Sequence, residues 1–267
     1  DLASSLGMIL IERHIVTDLI GAPVGHCYGH HFTDPLSRLA FQRAMAAVGA
    51  TPGTMIYGNT TAFRGKPGAN FAALANYLLV DAAGQLTRPT GHAINAVPVT
   101  ENERIPEIDE VIAAQLFAGR MVELAPAWVA MLDEAPVEAL AAQIVAGGRA
   151  FADAALKGLE ERGVDITCPF QMLLAIRRMG ARRMEALFGA GALQPGAMGG
   201  RVPVAPSSIL SEIAEMADHA LRGEAVALVG LRVMVATSDV HEHGKMLVEE
   251  ILRRSGAVVL DGGVSTE

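Results

Sequence analysis

Residues Ser238-Asp239-Val240-His241-Glu242-His243-Gly244 carry the most specific chemistry in the chain. They contain Asp-x-His-x-x-Gly, a pattern that this composition would produce by chance roughly 0.03 times. A neutral imidazole such as His241, at the end of a strand, can ligate a metal ion. The carboxylate of Asp239, two residues earlier, can hydrogen-bond the other ring nitrogen, which sets the tautomer and tunes ligand basicity. Gly244 lets the backbone approach a bulky group and starts a helix. His243 is a competing imidazole, but no acid stands two residues before it. The plain alternative is an ordinary strand-to-helix loop with polar residues at the helix start.

The elements that must position this loop are legible. Residues 226–236 read as an apolar strand, 245–254 as an amphipathic helix stopped by Gly256, and 257–260 as a second strand. This is the βαβ opening of a doubly wound sheet. Upstream, residues 15–24 read as a buried strand or late helix running into the loop 25–31. Thr33-Asp34-Pro35 signals a helix start, and that helix runs to about Gly49. Residues 54–57 read as a strand, 71–86 as a helix, and 93–99 as a strand. A helix over 109–124 has Ile112, Leu116 and Val122 as its apolar side. Strand, loop and helix repeating in this way predict a parallel α/β sheet or barrel. His26, Tyr57, Asn59 and His92 are read just after strands, where loops form the active face of a barrel. Long helices follow over 137–162, 169–188 and 207–221, with a Gly/Pro-rich connector at 191–206.

The Asp-x-His-x-x-Gly loop in this context resembles the cobalamin-binding signature of adenosylcobalamin mutases and of methionine-synthase-like corrinoid proteins. The resemblance implies that His241 ligates cobalt, Asp239 orients it, and Gly244 allows the corrin's close approach. Three further segments, residues 54–59, 88–100 and 163–170, resemble later barrel strands and the tail of the glutamate mutase (methylaspartate mutase) large subunit. In that family a barrel faces the corrin and holds substrate and adenosyl group. The family strand Lys-Thr-Pro-His-Glu-Ala-Ile has Arg88 at its lysine position here and His92 at its glutamate position, with one residue inserted after Ile94. Those family residues contact the adenosyl ribose, so the replacements leave glutamate unsupported as the substrate. In the family the cobalamin domain is a separate subunit; here it follows the barrel in one chain.

The resemblance therefore implies an adenosylcobalamin-dependent carbon-skeleton mutase, a radical isomerase of a small carboxylic acid or its derivative. In such enzymes the adenosyl radical takes a substrate hydrogen, a group migrates, and the hydrogen returns. Tyr57, Asn59, Arg88, His92 and Asn95 are the expected catalytic face. The expected architecture is α/β: part of a (β/α)8 TIM-type barrel over 1–125, a helical region and connector over 126–224, and over 225–267 the truncated opening of a flavodoxin/Rossmann-like cobalamin domain. Two alternatives stay open: a corrinoid methyl carrier or methyltransferase protein, whose helical cap the three long helices would form, and a non-catalytic cobalamin-binding protein. A carrier has no need of the β/α units before residue 125; a mutase does.

Composition narrows the rest. The 267 residues are 51 % apolar and 19 % charged, with 21 Lys+Arg against 29 Asp+Glu, a net charge of −8. That is a globular composition. The acid excess and the lack of a basic run exclude a nucleic-acid partner from the expectation. Apolar runs are too short for a membrane span. Two cysteines far apart, Cys27 and Cys168, and no leader pattern point to a reducing cytoplasm. The ends read as an excerpt of a longer protein, with half-sheets that need a homo-oligomer or partner subunit to cover them. His26, Cys27, His30 and His31 match no standard zinc spacing and read as a polar loop. Arg177-Arg178 and Arg182-Arg183 read as a solvated basic face, with a subunit or corrin contact as the alternative.

Overall fold

A computed structural model describes residues 1–30, 32, 34–49, 51–193, 200–207, 209–222, 227–238 and 242–264. The chain is α/β, about 60 % helix, with small parallel sheets. No helix among the described residues is long and apolar enough to cross a membrane.

Helix α1, Leu2–Arg13, had no counterpart in the sequence reading. Asp1 caps it, its side chain accepting from Ala3 N, and also accepts from the backbone N–H groups of Val204 and Ala205 at 3.2 and 2.9 Å. A π-helical turn, His14–Leu19, continues α1, so residues 15–24 hold no strand. Then follow β1 (Cys27–Tyr28), α2 (Pro35–Ala47), β2 (Met55–Ile56), α3 (Pro67–Thr87), β3 (Ala93–Ile94) and α4 (Ile108–Val129). The start of α2 is as expected: Asp34 accepts from Ser37 N at 2.7 Å, and Pro35 occupies the first turn. The three strands pair in parallel, in chain order, with Cys27, Met55 and Ala93 in one row and Tyr28, Ile56 and Ile94 in the next. The strands are only two residues long, and the described residues form a three-stranded sheet rather than a closed barrel.

Helix α5, Glu134–Glu160, crosses α1 at very short range. A Cβ on Gly7 would lie 2.4 Å from Phe151 Cδ1 and 2.8 Å from Gly148 O; one on Gly147 would lie 2.7 Å from Ala3 Cβ. Leu2 and Leu6 of α1, Leu39, Phe41 and Met45 of α2, and Val137 and Ile144 of α5 share one core with Tyr28 and Ile56. The helical stretch after residue 125 is thus packed directly under the first sheet. A second core joins Ile11 and Ile15 to the far half of α5 and to α6 (Pro169–Met179) and α7 (Ala181–Phe188). The single helix expected over 169–188 is two, because Gly180 at φ +73° breaks it.

Helix α4 departs from its expected orientation. Ala114, Phe117, Ala118 and Met121 pack against α3, whereas Ile112, Leu116 and Val122 face outward. Helix α8 (Ile209–Ala220) lies against α9 (His243–Arg254), which connects the parallel strands β4 (Arg232–Thr237) and β5 (Val258–Val264). This is the expected βαβ unit, with β4 starting later than residue 226.

Arg38 of α2 ties the first sheet to its helices. Its buried guanidinium grips Asp81 of α3 with two prongs, Nε at 3.0 Å and Nη2 at 2.6 Å. It also donates to the carbonyls of Gly29, Phe32 and Tyr57 at 2.7, 3.1 and 3.0 Å, and lies 5.1 Å from the centre of the Tyr77 ring. Arg38→Met leaves the Asp81 carboxylate and three carbonyls without this partner. It is expected to cost about 3–5 kcal/mol, read as a lowered urea midpoint. Gly7→Val is expected to lower stability by about 1–3 kcal/mol through the clash with Phe151, read in the same titration.

Candidate functional site

The first sheet has two unlike faces. Cys27, Met55 and Ala93 are exposed, while Tyr28 and Ile56 are buried against helices. Two residues beyond the exposed row, at the C-terminal ends of β2 and β3, stand Tyr57 and Asn95, half-buried. Strand register brings them together, since Asn95 N donates to Ile56 O at 2.9 Å. The Asn95 side chain hydrogen-bonds the Tyr57 phenol. Burial, with Glu101 and Cys27 nearby, raises that phenol above the usual tyrosine range despite the Asn95 contact. Tyr57 stays a neutral hydroxyl that can donate or accept a hydrogen bond.

The other three expected residues do not join this pair on the open face. Asn59 is buried, in a segment whose 3-10 turn begins with Ala62 N donating to Asn59 O at 3.2 Å. Arg88 caps α3, and its guanidinium lies 3.0 Å from Glu138 of α5. His92 precedes β3 rather than following a strand, and it is buried. Its Nδ1 lies 3.0 Å from the Tyr28 hydroxyl. His26 likewise precedes β1, because residues 15–19 are helical. Its Nδ1 lies 2.7 Å from Glu12 Oε2. Burial, and secondarily the neighbouring His26, lowers the His92 pKa. Glu12 and Tyr28, the partners of the two imidazoles, lie far from them in sequence and escaped the sequence reading. His31 of the His/Cys loop lies outside the described residues. No group of three or more His, Cys, Asp or Glu among the described residues is placed to hold a metal ion. Cys27 and Cys168 are free thiols.

At the second sheet, β4 ends at Thr237 and α9 begins at His243 after Glu242. Asp239 and His241 lie outside the described residues. Gly244, in the first turn of α9, is exposed, and a Cβ there would meet no heavy atom within 4 Å. Beside it, a charge network fastens the unit. Buried Lys245 pairs with Asp261 of β5 and lies 3.0 Å from Glu242 and 3.7 Å from fully buried Glu249. Arg182 of α7 reaches Glu249 at 2.5 Å and Asp261 at 3.3 Å. The doubled arginines therefore do not form a wholly solvated face: Arg182 ties α7 to the βαβ unit. Burial alone would lower the Lys245 pKa, but Asp261 and Glu242 outweigh it and hold it above the usual lysine range. Burial alone would raise Asp261; Lys245, the Gly263 N–H and Arg182 hold it below the usual carboxylate range.

Comparison with protein-family models, with curated proteins and with solved structures returned no match.

Two pH effects follow. His92, with its depressed pKa, favours the folded state above the ordinary imidazole pKa of about 6.5, and this contribution is lost as pH falls through its folded value. NMR titration of the ring is expected to give a midpoint below that value. Asp261, also depressed, stabilises above its unfolded pKa of about 3.9 and loses this as pH falls. Thermal melts of Asp261→Asn below about pH 4 are expected to show a flatter acid limb than the parent.

Proposed function

We propose that the chain is an adenosylcobalamin-dependent carbon-skeleton mutase, a radical isomerase of a small carboxylic acid or its derivative. The observation that carries this reading is the parallel β4–α9–β5 unit, with Asp-x-His-x-x-Gly running from the end of β4 into α9. In open α/β sheets, ligands bind beyond the carboxyl ends of the strands. The reading takes this unit as the opening of a flavodoxin/Rossmann-like cobalamin domain from about residue 225. It takes β1 to β3 with α2 and α3 as part of a TIM-type barrel ending near residue 125.

The fit to a corrin rests on Gly244, whose open surroundings leave room beside the start of α9. The donor set suits cobalt: one imidazole, His241, with the Asp239 carboxylate to hold its other nitrogen. When bound, adenosylcobalamin supplies a carbon radical by homolysis of its cobalt–carbon bond. Tyr57 and Asn95 offer a neutral hydroxyl and an amide to orient a substrate carboxyl or carbonyl group. Cys27, Met55 and Ala93 line the same face with few polar groups, which suits exclusion of water from a reactive intermediate. Asn59 is buried and in this reading does not touch substrate. Arg88 and His92 act in this reading as positioning residues, through Glu138 and Tyr28. The β/α units favour a mutase over a methyl carrier, which needs none.

The test is the ultraviolet–visible spectrum of the chain mixed with adenosylcobalamin. A base-off, histidine-on spectrum is expected, lost in His241→Ala. Asp239→Ala is expected to weaken binding about 10- to 100-fold. Gly244→Leu is expected to weaken it while leaving the thermal melt unchanged. No spectral change with the parent chain overturns the reading.

A further inference from the structure

Helix α4 is apolar on two opposite sides, and only one is covered. One side packs on α3. On the other, Ile108 is 74 %, Ile112 54 % and Leu116 72 % exposed. At 100° per residue these three fall within one stripe about 80° wide, and Gly119 extends it. A Cβ on Gly119 would meet nothing within 4 Å. A contiguous uncovered stripe of this kind marks an interaction surface.

The charges beside the stripe specify its occupant. Asp109 and Arg120, both exposed, lie on the same flank, eleven residues or about 16 Å apart along the axis. A dyad perpendicular to the helix at about residues 114–115 places Asp109 of one copy opposite Arg120 of the other, and the reverse. The same dyad brings Glu123 towards the Arg104 end of the second copy. Ile112 and Leu116 then meet their counterparts around the dyad, and Ile108 falls near the space over Gly119. In a parallel pair the twofold runs along the axes and carries this flank to the other side of the seam, so Asp109 and Arg120 gain no such match. Glu123, which lies 2.6 Å from Arg120 within one copy, leaves that guanidinium donors to spare.

We infer that α4 is a self-association surface that pairs antiparallel with α4 of a second copy of this chain. One helix pair sits at the low end of specific interface sizes, so the dimer forms and dissociates with concentration. This does not depend on the cobalamin reading.

The test is sedimentation velocity across about 1–200 µM protein, the range expected for a small interface. A reversible monomer–dimer equilibrium is expected. Ile112→Glu with Leu116→Glu is expected to leave a monomer throughout, with an unchanged circular dichroism melt because both positions are exposed. Asp109→Arg is expected to raise the dissociation constant about tenfold, since two attractive pairs become repulsive. Adding Arg120→Asp is expected to return it to within about twofold of the parent. Three results overturn the inference: a parent chain monomeric at every concentration, a dimer indifferent to the Ile112/Leu116 pair, or a charge reversal that the second reversal does not rescue. A monomer that instead co-sediments with phosphatidylcholine vesicles assigns the stripe to lipid and also overturns it.

Discussion

The first sheet depends on one buried guanidinium. Its strands exchange few hydrogen bonds because each is two residues long. What fixes their C-terminal ends is Arg38, which holds the carbonyls of Gly29 and Tyr57 while Asp81 neutralises it. A buried carboxylate and a buried guanidinium are each costly alone, and they become tolerable through the two-pronged contact. The geometry leaves no room for variation at Gly29, where φ is +102° and a Cβ would come within 2.6 Å of Tyr57 O. Through the Tyr57 carbonyl, the ion pair also fixes the residue that the proposed function turns toward substrate.

The second sheet is fastened by charge beside a few buried apolar residues, among them Ala257 and Val259. Lys245, Glu249, Asp261 and Arg182 join α9, β5 and α7, and Glu249 is wholly buried among cations. Arg253 adds a further contact to Glu249 at 3.0 Å. The strand β4 keeps Met234 largely exposed. The cleft between α7, α8 and α9, about 240 Å³, is lined by Leu210, Ile213 and Met246 together with these charges. These ion pairs tie α7 to the unit whose strand β4 immediately precedes Asp239 in sequence.

Local signals were legible and long-range ones were not. Asp34-Pro35 marked a helix start through capping chemistry that needs only adjacent residues. Likewise Gly256, at φ +91°, marked the end of α9. The βαβ reading at the C-terminal end held because alternation and a 3.6-residue period are both local. Helix α1 went unread because small and polar Ala3, Ser4, Ser5 and Gly7 dilute its apolar residues, and part of its burial comes from close approach to α5. In α4 the periodicity was real, but it identified the uncovered side, since small Ala114 and Ala118 mark the packed one. At the candidate site, Tyr57 and Asn95 were read as functional residues, and strand register pairs them. The Arg38–Asp81 and His92–Tyr28 contacts span 43 and 64 residues and left no local trace.

The glycine-mediated crossing of α1 and α5 also constrains the order in which the molecule assembles. Leu2, Leu6 and Ile11 are covered by residues that follow about 140 positions later, and Leu2 N donates to Ala205 O. At ribosomal rates of about 5–20 residues per second, α1 waits on the order of ten seconds for α5. Helix α2 offers Leu2 and Leu6 part of their core earlier, but the close-packed side of α1 waits for Gly147 and Gly148. Helix α1 is therefore made well before the helix that covers it, and in that interval Leu2, Leu6 and Ile11 are side chains that a chaperone can shield.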